Sequence, residues 1–92
     1  MATLHMEVEV CRSAVTSFSN GAQELNQVFQ NLNNTIQGLQ SGAWVGNSAQ
    51  EFFSKYSEAT GPLKTAADAL TTLAGQLSTE VTQWEEMAAK LG

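Results

Sequence analysis

The sequence is poor in the residues that reactive or highly charged sites require. Its 92 residues include one histidine, one cysteine, one proline and only four lysines and arginines, and charged residues make up 14% of the chain. Because Cys11 is alone, no intrachain disulfide can form, which excludes a disulfide-stapled scaffold. The net charge of -5 argues against nucleic acid and anionic membranes as partners.

Targeting and membrane-spanning signals are also missing from the sequence. The N-terminal residues lack a basic segment followed by an apolar stretch, so we expect no cleaved signal peptide. No run approaches the ~18 apolar residues that a membrane-spanning helix needs, so we expect a soluble chain. We therefore expect a protein made in the cytoplasm which, if it leaves the cell, uses a route that does not read a cleaved signal.

No combination of residues indicates catalysis, a metal site or a phosphate-binding loop. His5 lies near the N-terminus and is interpreted as a surface residue. Cys11 lies on an apolar helix face with no base reliably placed beside it, which favours a small buried side chain over a nucleophile. We therefore predict a non-enzymatic protein with no cofactor and no metal.

Apolar residues recur in alternating steps of four and three along the first half of the chain, which predicts one face of a long helix. The repeat consists of Leu4, Val8, Cys11, Val15, Phe18, Ala22, Leu25, Phe29, Leu32, Ile36 and Leu39. Ala14, Gly21, Val28 and Thr35 flank it and widen this face. Residues 6–10 also alternate apolar and acidic side chains, so a short strand there is the alternative.

A second repeat of the same kind fills the other half of the chain. It consists of Ala49, Phe52, Tyr56, Ala59, Leu63, Ala66, Leu70, Leu73, Leu77, Trp84, Met87 and Leu91, and only Glu80 interrupts it. Phe53, Ala67, Ala74, Val81 and Ala88 flank it. The repeat keeps its phase across Pro62, so we expect a kinked but continuous helix, with a break at Pro62 as the alternative.

Between the two repeats, residues 41–48 have the composition of a turn. Gly42 suits the left-handed position that ends a helix, and Ser48 with Glu51 has the Ser-x-x-Glu form of a capping box. We predict one all-α domain over residues 1–92, an antiparallel hairpin of a helix at about 4–41, a turn at 42–47 and a helix at about 48–91.

A lone hairpin is only two helices thick, and apolar faces this wide would stay partly in water. We therefore expect two hairpins to pair into a four-helix bundle. The residues predicted to hold the hairpin and the dimer together are Phe18, Leu25, Phe29, Leu32, Ile36, Phe52, Tyr56, Leu63, Leu70, Leu73 and Leu77.

Trp44, Val45 and Gly46 form a Trp-x-Gly tripeptide midway along the chain, between the two amphipathic arms. This arrangement resembles the WXG family of small proteins, also called early-secreted-antigen-like, that type VII (ESX) secretion systems export. The resemblance implies a homodimer or a heterodimer with a related WXG protein, released or displayed at the cell surface of a Gram-positive-type bacterium. It further implies the type VII secretion ATPase and a larger exported toxin-like protein as partners.

The resemblance also gives Trp44 and Gly46 a role, because in the family this turn and the partner's C-terminal tail form a composite secretion signal. The plainer interpretation is that Trp44 caps the apolar core and Gly46 permits the turn.

The family's tail signal, a Tyr followed four residues later by Asp or Glu, is absent here. No Tyr follows Tyr56. Trp84, Glu85 and Glu86 are the candidate for a degenerate signal, although Trp84 also fits the apolar repeat and favours a core role.

Three functional hypotheses follow. We favour a type VII secretion substrate or secreted partner that acts as half of a dimer. The second is a helical adaptor or chaperone that pairs with a larger type VII cargo protein and helps to target it. The third is a membrane-active amphipathic protein, which the acidic charge and the near absence of Lys and Arg along the apolar faces argue against.

Overall fold

The chain forms two long antiparallel helices joined by a tight turn, in a computed structural model that describes residues 5–91. Helix α1 spans Val8–Gly38, a π-helical turn at Leu39–Ala43 continues it, and helix α2 spans Asn47–Leu91. The hairpin measures 69 × 24 × 15 Å, and residues 5–91 contain no strand. The predicted all-α hairpin is confirmed.

The start of α1 differs from the sequence prediction. The predicted start near residue 4 lies outside the described residues, and residues 5–7 are not helical. The amide of Cys11 donates to the carbonyl of Glu7 at 3.0 Å, which closes the first helical turn. The alternative of a strand over residues 6–10 is wrong, because Val8 to Val10 already belong to α1.

The turn is shorter than predicted because both of its glycines adopt positive φ angles. Gly42, at φ 120°, lets the amide of Trp44 reach back to the carbonyl of Leu39 at 3.1 Å. Gly46, at φ 131°, offers its carbonyl to the amide of Gln50 at 3.1 Å. Helix α2 therefore starts at Asn47, and Ser48 lies inside its first turn rather than at the predicted capping position.

Helix α2 runs through Pro62 without interruption, so the predicted continuous helix is confirmed and the alternative of a break is wrong. The proline ring lies at the exposed surface of the helix. Ala49 and Ala67, on either side of Pro62, are both buried, and this packing offsets the lost backbone hydrogen bond.

Small side chains form the buried seam between the helices. The fully buried residues are Ala22 of α1 and Ala49, Ala67, Ala74 and Val81 of α2. Gly21 faces the same seam, because a Cβ built on it would lie 3.8 Å from a methyl group of Leu70, which is ordinary van der Waals contact. Three of the four buried residues of α2, namely Ala67, Ala74 and Val81, come from the row that flanks the predicted repeat.

The predicted seam residues divide into two groups. Half-buried between the helices are Leu25, Phe29, Ile36, Tyr56, Leu70 and Leu77. Exposed to solvent are Phe18, Leu32, Phe52, Leu63 and Leu73. The physical reason is that close helix approach selects alanine over leucine and phenylalanine, which leaves the larger side chains outside the hairpin.

We expect Ala67→Leu to lower the free energy of unfolding by about 1–3 kcal/mol, because Ala67 is 0% exposed and added methylenes overpack the seam. Ala69→Leu is the control, since Ala69 is exposed and a surface change of this kind costs ~0.5 kcal/mol or less. Urea denaturation followed by circular dichroism measures both variants. Equal midpoints for the two would contradict a close-packed seam at Ala67.

We expect Gly42→Ala to destabilise the hairpin by about 1–2 kcal/mol, because a Cβ is strained at φ 120° although nothing lies within 4 Å of it. Gly38→Ala has equal space but a helical φ of -61°, so it should stabilise the chain by ~0.5–1 kcal/mol. Thermal unfolding of the two variants should thus shift in opposite directions, and a shared direction would refute the strained turn.

Candidate functional site

An aromatic cluster stands at the closed end of the hairpin. The ring centroid of Trp44 lies 5.4 Å from that of Phe52 and 5.9 Å from that of Phe53, and the two Phe centroids are 6.0 Å apart. The tilted and edge-on orientations are those that aromatic quadrupoles favour. The cluster fixes the indole on the first turns of α2.

The same indole remains 38% exposed, and its neighbour Val45 is 81% exposed. Trp44 has extended backbone angles because Gly42 ends the preceding helical turn. A shallow depression of about 330 Å³ lies beside it, bordered by Gln40 and Phe53 and by no charged side chain. The depression beside the indole is therefore uncharged, with apolar side chains and the two glutamines Gln40 and Gln50 in its lining.

The candidate C-terminal residues lie far from this turn. Trp84 is half-buried in the seam, the carboxylate of Glu85 forms an ion pair with the guanidinium of Arg12, and Glu86 is exposed. At 1.5 Å per residue, Trp84 lies about 55 Å along α2 from Asn47. One chain cannot bring Trp44 and Trp84 together, so a surface built from both requires a second chain.

The two long edges of the seam differ in chemistry. One edge is polar: it carries the Arg12–Glu85 ion pair and the hydroxyl of Tyr56, which donates to the amide oxygen of Asn33 at 2.8 Å. A groove of about 600 Å³ bordered by Gln30 and Lys64 opens on the same edge. Sequence reasoning missed this edge, because pairing residues as far apart as Arg12 and Glu85 requires the register of the folded hairpin.

The opposite edge is apolar. Helical periodicity places one set of large exposed side chains from both helices on the side away from the polar edge. We call this set the apolar face, and it consists of Val10, Phe18, Val28 and Leu32 from α1 and Phe52, Leu63, Leu73 and Met87 from α2. Exposure reaches 48% at Leu63 and 47% at Leu73, which is high for leucines of a folded domain.

The accessible surface of the chain is 7026 Å². A compact monomer of 9.9 kDa would expose about 5,200 Å². The excess reflects an elongated hairpin one layer thick, with apolar side chains that have no second layer to cover them. Several large apolar side chains exposed on one side of a hairpin are typical of a protein–protein interface.

Two features are absent from residues 5–91, a cluster of metal ligands and a membrane-spanning helix. No group of three or more His, Cys, Asp or Glu side chains there could hold a metal ion. Within the same range, neither helix is apolar enough over a sufficient length to cross a bilayer.

The chain matches the WXG100 family, described as proteins of 100 residues with WXG, over residues 3–90, and it belongs to that family. The expected family is thereby confirmed, and the chain is a small protein associated with type VII secretion. Proteins of this family are small helical secretion proteins, not known enzymes, and they typically form dimers with other WXG proteins. No curated protein and no solved structure matches the chain.

Proposed function

We propose that this chain is exported by a type VII secretion system as one half of a four-helix dimer, and that the turn around Trp44 belongs to the surface the secretion machinery recognises. The proposal rests on the environment of Trp44. Its indole packs on Phe52 and Phe53, and Trp44 nevertheless remains 38% exposed to solvent. An indole fixed before binding loses little conformational entropy on binding, which is the property of an interface anchor.

The dimer is the second part of the proposal. The apolar face supports it, because a second hairpin laid on this face completes two layers of helices and removes large side chains from water. The partner is this chain itself or a related WXG protein. The type VII secretion ATPase is the proposed reader of the exposed turn, and a larger toxin-like protein is a proposed cargo.

One observation favours the adaptor hypothesis as a second candidate. Trp84 lies in the seam and Glu85 is paired with Arg12, so the candidate tail signal is engaged within the hairpin. No Tyr follows Tyr56 to replace it. A partner that carries its own Tyr-x-x-x-acidic signal would then complete the export signal. Co-purification of such a partner, together with export of this chain only when that partner is present, would distinguish the adaptor from the self-sufficient substrate.

We expect Trp44→Ala to reduce export by about tenfold or more, because it removes the aromatic anchor of the proposed recognition surface. The measurement is the ratio of protein in the medium to protein in the cytosol of a host with the matching secretion system. Val45→Ala is the control, because Val45 occupies the variable position of the motif and should leave export intact. Circular dichroism must show that both variants fold. An unfolded Trp44→Ala chain would make Trp44 mainly structural, and normal export would refute the proposed signal.

We expect Leu63→Glu to weaken dimerisation by about tenfold or more while leaving the helical hairpin intact, because it places a charge on the apolar face outside the seam. Thr72→Glu adds the same charge on the opposite side of α2 and serves as the matched control. Light scattering after size-exclusion chromatography measures both. Equal dimer affinities for the two variants would move the interface away from the apolar face.

A further inference from the structure

A regular row of carboxamide side chains follows the polar edge along α1. We call this set the carboxamide row, and it consists of Gln23, Asn26, Gln30, Asn33 and Gln37, all of which are exposed. Its steps alternate between three and four residues, so the row keeps one direction along the helix and has a carboxamide every ~5 Å over a length of ~21 Å. Asparagine is a poorer helix former than glutamate or lysine, so helix stability does not explain this row.

A groove between the two helices lies beside the middle of the carboxamide row. Its volume of about 600 Å³ is in the range of sites that bind small molecules. Asn26, Gln30 and Asn33 of the row line it together with Phe29, which contributes apolar surface from α1. A Cβ built on Gly61 would meet nothing within 4 Å, so the α2 side is open there. The lining residues from α2 are Tyr56, Ser57, Thr60, Gly61 and Lys64.

One carboxamide of the groove is held in place by a hydrogen bond across the seam. The hydroxyl of Tyr56 donates to Oδ1 of Asn33 at 2.8 Å. Because Oδ1 accepts this bond, the amide nitrogen of Asn33 remains as a donor for a ligand. Tyr56 is half-buried, so its ring holds the hydroxyl in a defined position. The groove therefore offers a donor that is ordered before a ligand binds, which lowers the entropy cost of binding.

The groove lining is nearly uncharged, although the chain as a whole is acidic. The chain has nine Asp and Glu residues and a net charge of -5, and none of those carboxylates lines the groove. Lys64 is the only charged side chain of the lining, and it belongs to neither of the ion pairs formed within residues 5–91. The acidic surface outside the groove repels strongly anionic ligands, and the lining offers no carboxylate to a cationic one. An uncharged ligand with many hydrogen-bonding groups therefore fits best.

We propose that the groove binds an uncharged, extended oligosaccharide with β-1,4 linkages, laid along the carboxamide row. Carboxamides and sugar hydroxyls each donate and accept hydrogen bonds, so the two sets of groups are complementary. Successive rings of a β-1,4-linked chain are nearly collinear, and one ring is about as long as the ~5 Å step of the row. Each ring thus reaches the next carboxamide, and about four rings cover the row.

An extended peptide is the competing occupant, since its backbone also donates and accepts hydrogen bonds. Groups on one side of an extended backbone repeat every two residues, or ~6.6 Å. That repeat is longer than the ~5 Å step of the row, so a peptide falls out of step by about half a spacing after two repeats. The spacing of the carboxamide row therefore favours the sugar chain.

Two tetrasaccharides of glucose test the proposal. Cellotetraose has β-1,4 linkages and is extended, whereas maltotetraose has the same composition but α-1,4 linkages that curve the chain. Titration of isotope-labelled protein with cellotetraose should shift the side-chain amide signals of Asn26, Gln30 and Asn33 in the NMR spectrum. Maltotetraose should bind about tenfold more weakly, because a curved chain meets fewer carboxamides and loses hydrogen bonds.

Single substitutions test the residues of the groove. Gln30→Ala and Asn33→Ala should each weaken cellotetraose binding by about fivefold, the effect of losing one hydrogen bond. Tyr56→Phe should weaken it less and should shift the side-chain signal of Asn33 even without sugar, because the carboxamide remains but its hydrogen bond is lost. Asn31→Ala removes the same chemistry from the outer surface of α1 and should retain native affinity. Circular dichroism confirms that each variant is helical.

The outcomes are independent of those for the proposed function. Absence of shifts with cellotetraose, equal affinity for maltotetraose, or an equal loss of affinity in Asn31→Ala would overturn the sugar site. If a peptide of alternating glycine and serine shifts the same signals and cellotetraose does not, the groove binds a peptide and the proposal is wrong. The polar edge lies away from the apolar face and the carboxamide row ends before Trp44, so other residues test dimerisation and export. Normal export of Trp44→Ala would therefore leave the sugar site in place.

Discussion

Close approach of two helices along a seam of small side chains is the constraint on which the rest of this structure depends. Ala22, Ala67 and Ala74 are buried where a hairpin of this size would commonly bury leucines. Small side chains let the backbones come near each other, but each one removes little apolar area from water. The two helices therefore contact each other mainly through small side chains. Much of the apolar area of the hairpin stays in solvent, at residues such as Phe18 and Leu73.

In the proposed dimer, this distribution would make folding depend on association. A domain that places alanine inside and leucine outside gains only part of its hydrophobic stabilisation as a single chain. The remainder becomes available when a second layer covers the apolar face. The stability of the folded hairpin should then depend on protein concentration, as it does for dimers whose single subunits are weakly stable.

Much of this organisation could be predicted from the sequence. The two heptad repeats predicted two helices, the glycines around Trp44 predicted the turn, and the unbroken phase across Pro62 predicted a continuous second helix. Each of these signals is local: periodicity, φ requirements and capping act within a few residues. The start of α2 was misplaced by one residue because Gly46, rather than Ser48, caps the helix.

The division of the apolar residues between seam and outer face could not be predicted. In α2 the rows that contain Leu73 and Ala74 are adjacent and both apolar, and hydrophobicity alone favours the larger residues as core. In the folded hairpin, Ala67 and Ala74 are buried between the helices, while Leu73 stays nearly half exposed. The polar edge was missed for a related reason, because contacts such as Tyr56 with Asn33 depend on a register that turn length sets.

The length of the hairpin explains why the proposed function requires two chains. The turn with Trp44 and the tail with Trp84 lie about 55 Å apart, so no single chain can present them as one surface. In the proposed dimer, the turn of one chain would lie beside the tail of its partner. In the proposed function, recognition of such a composite end would show that two chains have assembled, because a monomer holds its turn and its tail at opposite ends.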